Sequence, residues 1–472
     1  MQRINKVIVV ILLFCFFVFF CCVSLWRFNT GQIFFYDFGH YARIIWLISR
    51  SLPPVIVHKV LGEIHFFGDH LAPSFFLLAP LFLITNKLQI LLIEQALMTV
   101  TAGLLIFTIA KRETLRFFPS LACSVIFLLF AGVESPLVSD WHSESTAIVL
   151  LLLFLYSLIY RKNIFIAFLS AIIFMGFKDS NPLSLFFILI PYFYTQKKDR
   201  RIIAFYMGFA LLWFITAGYI LTPLIAKQAY LYAPVLPVKP TEYITNFVNL
   251  PIKRKLWFDS LSSFGFLPLF SGVFFIPILA ELSIRLLPTY VHSQSFTLGM
   301  HYNVFLGAFL AIASIKSLRI INSLILPKKV LISNGTVCIA LIIALFTAKT
   351  STHPPLLLAI NPVFWKEWNK KSELFKQIQY IETTGSVMSQ NNILPHLISR
   401  KDKVFLLSLS YKKYDPQHIA FDLSTGQNIN NYYSGEIKDI EQVIKLKEFL
   451  LEDPHYKRVS TPYRDFYVFK KQ

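Results

Sequence analysis

The sequence predicts an all-α polytopic membrane bundle followed by a small soluble α/β domain at the C-terminus. Hydrophobic residues make up 55% of the 472 residues and charged residues only 15%, unlike the balance of an ordinary soluble domain. The apolar residues occur in long uninterrupted runs, and a helix needs about 20 of them to cross a hydrocarbon core of about 30 Å. After residue 348 the composition becomes polar. We therefore expect a transmembrane domain over residues 1–348 and a soluble domain over residues 349–472.

Nine apolar runs are predicted to cross the membrane completely, because this number keeps the clusters of lysine and arginine on one side. The runs are residues 7–25, 88–110, 117–134, 145–160, 163–177, 183–196, 202–221, 302–318 and 330–348. The first run is longer than the apolar region of an ordinary signal peptide and lacks small residues at a cleavage site, so it is predicted to be a retained anchor. The positive-inside rule then places the N-terminus in the cytoplasm and residues 349–472 outside.

Two further apolar stretches are predicted to be partial or short helices. Counting residues 71–85 as a crossing would put the basic cluster at Lys111 on the wrong side, so a juxtamembrane or re-entrant helix is expected there. Residues 264–287 must begin and end outside. They contain Pro268 and Pro277, which predict a broken hairpin or two short spans.

The polar C-terminal region has the pattern of a small α/β unit. Helical periodicity alternates there with short runs of β-type residues. Helices are predicted over 370–383 and 436–452, and strands over 386–389, 404–409, 419–423 and 466–469.

Composition also excludes several classes of function. The formal charge is +19, but the basic residues lie in short clusters between apolar runs, which is the pattern of a membrane protein and not of a nucleic-acid-binding one. The five cysteines fall in apolar runs and have no metal-ligand spacing. No phosphate-cradling glycine loop, dinucleotide fingerprint or nucleophile elbow is present.

Acidic residues and histidines collect in the loops predicted to lie outside, within the short stretches "YDFGHY", "GDHLAP", "SDWHSES", "GFKDSNP" and "MHYN". Polar groups at the edge of apolar helices are costly unless they are hydrated or paired, so a one-sided set predicts a site. The alternative for these stretches is a hydrated loop rim, and for "SDWHSES" both interpretations carry similar weight. For Lys178 and Asp179 the alternative is a structural ion pair to another loop. The candidate residues are Asp37, His40, Asp69, His70, Asp140, His142, Glu144, Lys178, Asp179 and His301.

A divalent metal is the one cofactor that these residues suggest. Asp37, Asp69 and His70 are the candidate ligands, because carboxylate and imidazole groups bind such ions. The spacing of His65, Asp69 and His70 matches no familiar zinc motif.

The ordered set of stretches resembles the prokaryotic membrane family known as domain of unknown function 2079, over nearly the whole chain. They are "YDFGHY", "GDHLAPSFFLLAPLF", "IEQALMTVTAGLLIFTIAKR", "SDWHSESTA", "GFKDSNP", "MHYN" and "NNILPHLISR". The family in turn resembles the C-type glycosyltransferases, which use lipid-phosphate sugars. In that class an acidic residue of the first outer loop lies between juxtamembrane helices. Asp37 takes this place, with the expected helices at 41–58 and 71–85.

This resemblance implies an inverting transfer of a sugar from a polyprenyl-phosphate donor to an acceptor, at the outer face of the bacterial inner membrane. Asp37, Glu144 and Asp69 would be catalytic, and the other candidate residues would bind the substrates. The sequence departs from the family pattern at Lys178-Asp179-Ser180, where the family has Lys-Glu-Asp.

Two other functions remain open at this point. A transporter or flippase for a lipid-linked or small polar solute would be expected to have inverted repeats and charged residues near the middle of the bilayer. The ionisable groups gather instead at one face, which favours the enzyme. An outer-face sensor or scaffold is the third alternative.

Overall fold

The computed structural model describes residues 2–58, 62–113, 115–289, 293–324, 329–366, 373–432 and 436–472. The helices of eight or more residues are α1 (Gln2–Asn29), α2 (His40–Ser49), α3 (Gln89–Arg112), α4 (Phe117–Leu128), α5 (Ala131–Ser139), α6 (Ser143–Leu155), α7 (Ile164–Met175), α8 (Asn181–Thr195), α9 (Arg200–Phe214), α10 (Pro251–Ser262), α11 (Ile276–Leu286), α12 (Val304–Leu324), α13 (Lys329–Thr347) and α14 (Ile440–Glu452). Shorter α-helices span Leu81–Ile84, Thr222–Ala226, Glu242–Thr245, Leu356–Ala359, Pro362–Lys366, Glu373–Ile378 and Tyr411–Tyr414.

Within the described residues, six helices are long and apolar enough to cross a membrane, and a bent pair makes a seventh. The six cover Ile4–Asn29, Gln89–Arg112, Ser143–Arg161, Lys197–Ala226, His301–Ser323 and Asn334–Thr352. The bent pair is α4 and α5, which meet at 47°. All seven match predicted crossings. Because the bundle contains these long apolar helices, the chain is an integral membrane protein.

The other two predicted crossings are shorter than expected. The run predicted over 163–177 is the 12-residue helix α7, and that over 183–196 is the 15-residue helix α8. At 1.5 Å per residue these helices are about 18 and 22 Å long. The count of nine complete crossings stays a prediction.

The loop after α1 differs from the expectation of a helix over 41–58. Helix α2 ends at Ser49, and residues 55–58 and 62–65 form a two-stranded antiparallel hairpin, β1 and β2. The physical reason is local: Ser51 has a positive φ of 55°, and Pro53 and Pro54 follow it. Proline disfavours the helical conformation of the residue before it, so the helix cannot continue. Residues 73–84 do form a short apolar helix, as predicted for 71–85.

The stretch 264–287 is broken, as its prolines predict. Gly265 and Phe266 have positive φ angles of 58° and 57°, and short 3₁₀ turns follow over 267–270 and 272–275. A regular helix, α11, begins only at Ile276.

Residues after α13 build a five-stranded mixed sheet with the order β4-β3-β5-β7-β6. Its strands are β3 (Val387–Ser389), β4 (Val404–Leu406), β5 (His418–Asp422), β6 (Tyr456–Val459) and β7 (Phe466–Lys471). Four of the five were predicted. The missing prediction was β6, whose sequence "YKRV" carries two exposed cations and therefore lacks an apolar strand pattern.

The side chains of a strand alternate between its two faces, so the sheet can pack against the bundle on one face and against its own helix on the other. Val387 and Ala420 belong to the same apolar core as the bundle, whereas their neighbours Met388 and Phe421 belong to a second core. Helix α14 covers that second core with Val443, Leu446 and Leu450. One face of the sheet therefore packs toward the membrane domain.

Alternating helix directions give the bundle two ends of opposite character. The acidic end, as we call it, carries the turns with Asp37, Asp140 and Asp179; the basic end carries the loops with Lys111, Arg161 and the run 197–201. At the basic end, Glu113 accepts hydrogen bonds from Lys316 at 2.5 Å and from Tyr160 at 2.6 Å, and it also pairs with Arg319. This cluster ties α3, α12 and the turn after α6 together.

We expect Glu113→Gln to lower stability by about 3–5 kcal/mol, because it leaves the ammonium group of Lys316 buried without its counter-charge. The side chain of Arg319, which is 59% exposed, can reorient toward the solvent. Thermal melting in detergent checks this.

The double variant Glu113→Gln/Lys316→Met should melt at a higher temperature than Glu113→Gln alone, since it no longer buries an unpaired cation. Asp199→Asn is the matched control. It breaks a surface pair with Lys162 in which the side chains are 29% and 53% exposed, and it should cost at most about 1 kcal/mol. Equal losses in the two single variants would contradict a structural role for Glu113.

Candidate functional site

The turn that carries Asp37 is held by the C-terminal domain. Residues 35–39 form a single π-helical turn that leads directly into α2. The backbone amide of Phe35 donates to the carbonyl oxygen of Asn391 at 2.7 Å, and the amide of Tyr36 donates to its side-chain oxygen at 3.0 Å. The side-chain amide of Asn391 in turn donates to the carbonyl oxygen of Asn430. Asn391 thus fixes the two residues that precede Asp37, which is itself partly exposed.

A second turn, between α5 and α6, carries Asp140 and His142. Gln95 of α3 donates to the carbonyl oxygens of Leu137 at 2.8 Å and Asp140 at 2.6 Å, and its own oxygen accepts from the amide of His142 at 3.4 Å. The side chain of Gln95 is completely buried. Its three bonds hold the main chain of the turn, so the directions of Asp140 and His142 depend on α3.

The side chain of Trp141 points away into the bundle. Its indole nitrogen donates to the carboxylate of Glu94 at 3.1 Å, and Thr146 donates to the same oxygen at 2.9 Å. Trp141 is fully buried. This anchor sets the register of the turn, so that the residues on either side of Trp141 face the other candidate residues.

Two groups of three side chains come close enough to share a cation, and both contain His142. The ligand atoms of Asp37, Asp140 and His142 all lie within 4.8 Å of one another, and the same holds for His142, Glu144 and His301. The rings of His142 and His301 stack with centroids 4.1 Å apart. Residues from three distant parts of the chain therefore meet at the acidic end.

Lys178 joins this cluster through a buried ion pair. Its ammonium nitrogen lies 2.5 Å from the carboxylate of Glu144, and the two side chains are only 12% and 7% exposed. His301 lies 3.8 Å from the same oxygen. Burial alone would lower the pKa of Lys178, but the charge of Glu144 outweighs burial and raises that pKa above its usual value. Lys178 is thus a fixed cation at neutral pH.

Asp69 and His70 have partners of their own. His70 pairs with Asp179 at 3.3 Å, while Asp69 accepts a hydrogen bond from the hydroxyl of Tyr232 at 2.7 Å. Tyr232 stacks on the ring of His70, with centroids 4.4 Å apart. Burial acts to lower the pKa of His70, but the carboxylates of Asp179 and Asp69 more than compensate and raise it.

Tyr41 lies between the two parts of the cluster. Its ring packs edge-on against His142 and Phe66. Burial raises the pKa of its hydroxyl well above 10, and the nearby charges of Asp37 and Glu144 raise it further. The charge of Asp69 adds to this effect.

The structure therefore brings most of the predicted residues to one place. The three predicted metal ligands, however, do not lie together in one group. Among the described residues, the three-ligand groups contain Asp37 with Asp140 and His142, whereas the candidates Asp69 and His70 are engaged with Tyr232 and Asp179. His40 packs its ring on Phe35 and Tyr36, beside the Asp37 turn.

Burial changes the acid–base properties of the Asp37 group. It raises the pKa of Asp140 well above its usual value, and the negative charge of Asp37 raises it further. Burial also lowers the pKa of His142, against the opposing charges of Asp37 and Glu144. A neutral imidazole suits metal binding. The Nδ1 atoms of His142 and His301 are buried without a hydrogen-bond partner in the described part of the chain.

Four contributors to the site were not named from the sequence. Tyr41, Gln95 and Asn391 lie within the stretches "YDFGHY", "IEQALMTVTAGLLIFTIAKR" and "NNILPHLISR" that resemble the family, but the sequence does not single them out there. Tyr232 sits in the loop between Thr222–Ala226 and Glu242–Thr245, which contains no motif. Their roles depend on contacts between distant segments, which a local pattern cannot show.

Comparison with known proteins assigns the chain to a family. The family described as "Predicted membrane protein (DUF2079)" matches residues 24–460. The chain belongs to this family, which confirms the resemblance seen in the sequence. No curated protein matches the chain of this DUF2079 member in sequence.

The fold of this DUF2079 member is similar to that of ArnT from Cupriavidus metallidurans. The crystal structure of ArnT bound to undecaprenyl phosphate superposes with a TM-score of 0.52 at 9% identity, over 96% of this chain and 97% of that chain. The apo structure of ArnT gives a TM-score of 0.50 at 11% identity over the same shares. The similarity therefore extends through both the bundle and the C-terminal domain.

We predict that Asn391→Ala makes the backbone amide of Tyr36 exchange with deuterium about 5-fold faster, because one hydrogen bond is worth about 1 kcal/mol. The amide of Phe35 should change less, since it is bonded to the main chain of residue 391. Overlapping peptides in exchange mass spectrometry separate the two amides. Asn163→Ala is the control, because the side-chain oxygen of Asn163 accepts from the backbone amide of Ile166 at the basic end of the bundle, at 3.1 Å. Unchanged exchange at Tyr36 would show that Asn391 does not hold this turn.

Proposed function

We propose that this protein is a membrane glycosyltransferase that moves a sugar from a polyprenyl-phosphate donor to an acceptor at the outer face of the bacterial inner membrane. The observation that carries the proposal is the position of Asp37. It follows the first transmembrane helix, meets Asp140 and His142 within 4.8 Å, and lies in a chain with the fold of ArnT, whose crystal structure holds undecaprenyl phosphate.

In the proposed reaction Asp37 accepts the proton of the acceptor hydroxyl as the oxygen attacks the anomeric carbon of the donor. The bond from that carbon to the donor phosphate breaks, and the phosphate leaves with the electron pair. A single displacement of this kind inverts the anomeric centre. Asp37 suits the part of base because it is only partly buried, whereas Asp140 and Glu144 are enclosed.

The leaving phosphate requires positive charge near it. Lys178 supplies a fixed ammonium group, and Glu144 holds it in place at 2.5 Å. His70 has a raised pKa and is held by Asp179, so its protonated ring is a second source of positive charge. Preorganised cations of this kind stabilise a developing anion because they need no reorganisation during the reaction. We assign Glu144 to holding Lys178. We assign Asp69 to holding Tyr232, whose ring stacks on His70.

The group of Asp37, Asp140 and His142 fits a divalent cation. Two carboxylates and a neutral imidazole form a suitable ligand set for Mn²⁺ or a similar ion, and such an ion would add positive charge at the phosphate. The ligands must be deprotonated to bind it.

The orientation proposed for the membrane follows from the charge of the two ends. The basic end carries the lysine and arginine clusters, and these favour the cytoplasmic side. The acidic end, with its candidate site and the C-terminal domain, then lies outside. The N-terminus is accordingly proposed to be cytoplasmic.

Asp37→Asn should lower sugar transfer by about 100- to 10,000-fold, the usual contribution of a general base. Purified protein in liposomes is supplied with labelled polyprenyl-phosphate sugars, and consumption of the donor is followed. Asp415→Asn is the matched control, since Asp415 is 61% exposed and pairs with Lys471 at the surface. Normal transfer by Asp37→Asn would remove this residue from the mechanism. Movement of the intact donor across the bilayer without its consumption would indicate a flippase.

Binding of Mn²⁺ distinguishes the two groups that share His142. We expect Asp140→Asn and His142→Ala to weaken binding by at least about 10-fold, because changes even to the groups that support metal ligands cost about this much affinity. His301→Ala should change the affinity little. Electron paramagnetic resonance of bound Mn²⁺ measures this without any substrate.

The affinity for Mn²⁺ should also rise with pH, because the raised pKa of Asp140 keeps a proton on this ligand at lower pH. If His301→Ala abolishes binding and Asp140→Asn preserves it, the ion belongs to the group of His142, Glu144 and His301 instead.

A further inference from the structure

A cavity of about 240 Å³ lies between the first loop and the C-terminal domain, apart from the cluster at His142. Its floor is formed by Phe35 and His40, which flank Asp37 in the chain. One wall comes from α2 and the hairpin, and the other comes from residues 401–404, which begin the edge strand β4.

The interior of the cavity is apolar, and its mouth is basic. Leu47, Leu52, Ile56 and Val404 form much of the wall. The charged groups around it are Arg43, Lys401, Lys403 and Glu63. Three cations and one anion leave a surplus of positive charge, so the cavity is complementary to an amphiphile with a negatively charged head.

Most of these charges are already engaged. The guanidinium group of Arg43 donates to the carbonyl oxygens of Ile398, Arg400 and Asp402 at 2.8–3.1 Å. Lys403 pairs with Glu63 across the mouth at 2.6 Å. Lys401 is exposed, and among the described residues it has neither an ion-pair partner nor a side-chain hydrogen bond. The head group of a ligand would therefore meet Lys401.

The cavity also lies beside the lipid-facing surface. Helix α2 packs against the short helix Leu81–Ile84, and Arg50 of the following turn donates to the carbonyl oxygen of Phe82 at 3.1 Å. Leu83 and Ile84 are 65% and 78% exposed, which is expected of side chains that contact lipid. The wall of the cavity thus adjoins residues at the edge of the bilayer.

We propose that this cavity binds one anionic phospholipid of the surrounding bilayer, with part of an acyl chain against Leu47, Leu52 and Ile56 and the phosphate group at Lys401. The proposal does not depend on the glycosyltransferase activity. A bound chain would support Phe35 and His40, and through them the turn that carries Asp37.

Native mass spectrometry of the full chain tests the proposal directly. Detergent-solubilised protein is titrated with phosphatidylglycerol and, separately, with phosphatidylcholine of the same chain length. We expect a single high-affinity adduct with phosphatidylglycerol. Lys401→Glu should weaken it by at least about 5-fold, the effect of roughly one lysine near an anionic lipid phosphate. Leu52→Trp should remove it, because the larger side chain fills the cavity.

Lys457→Glu is the matched control and should leave the adduct unchanged. It makes the same charge change on β6, at the opposite edge of the sheet from β4, and its side chain is also exposed. Melting temperatures show whether each variant is folded, and Lys401→Gln provides a milder change if Lys401→Glu is unstable.

Three results would overturn the proposal. They are equal binding of phosphatidylcholine, an adduct that survives Leu52→Trp in a folded protein, and displacement of the lipid by inorganic phosphate at the same concentration. The last result would indicate a simple anion site. None of them bears on Asp37→Asn, so failure here and failure of the proposed enzyme activity can be told apart.

Discussion

The need to pair buried charge governs the acidic end of this protein. Lys178 and Glu144 are buried among apolar helices and form an ion pair at 2.5 Å, and removal of either partner alone would be strongly destabilising. Glu144 then lies against His301, which stacks on His142. The position of His142 in turn depends on Gln95. The ion pair and Gln95 therefore support His142 from two sides, and His142 lies beside Asp37.

The two ends of the bundle use buried charge differently. At the basic end both oxygens of Glu113 have cationic partners, and Tyr160 adds a hydrogen bond, which is the arrangement of a structural clamp. At the acidic end, buried nitrogen atoms of His142 and His301 lack hydrogen-bond partners among the residues described. Unsatisfied buried polar atoms are uncommon and call for an explanation, and a ligand that binds there provides one.

Hydropathy was sufficient to predict the seven long apolar segments of the bundle, because long apolar runs determine helices. The loop after α1 was less predictable. Its apolar residues continue past Ser49, but a positive φ at Ser51 and two prolines turn the chain into a hairpin. Strand β6 was missed because its outward cations hide the pattern. The candidate acids and histidines could be named from their loops, but their partners could not, since Asn391 meets Tyr36 across 355 residues.

The C-terminal domain supports the candidate site from outside, through contacts with the segment around Asp37. Gly31 adopts a positive φ of 64°, and a side chain there would begin 2.7 Å from Leu374, so the two parts are in close contact just before the Asp37 turn. Asn391 holds the turn itself, and three carbonyl groups of residues 398–402 surround the guanidinium group of Arg43. Because Arg43 is 5% exposed, separating the domain would strand a buried cation. The C-terminal domain is therefore joined tightly to the segment that carries Asp37.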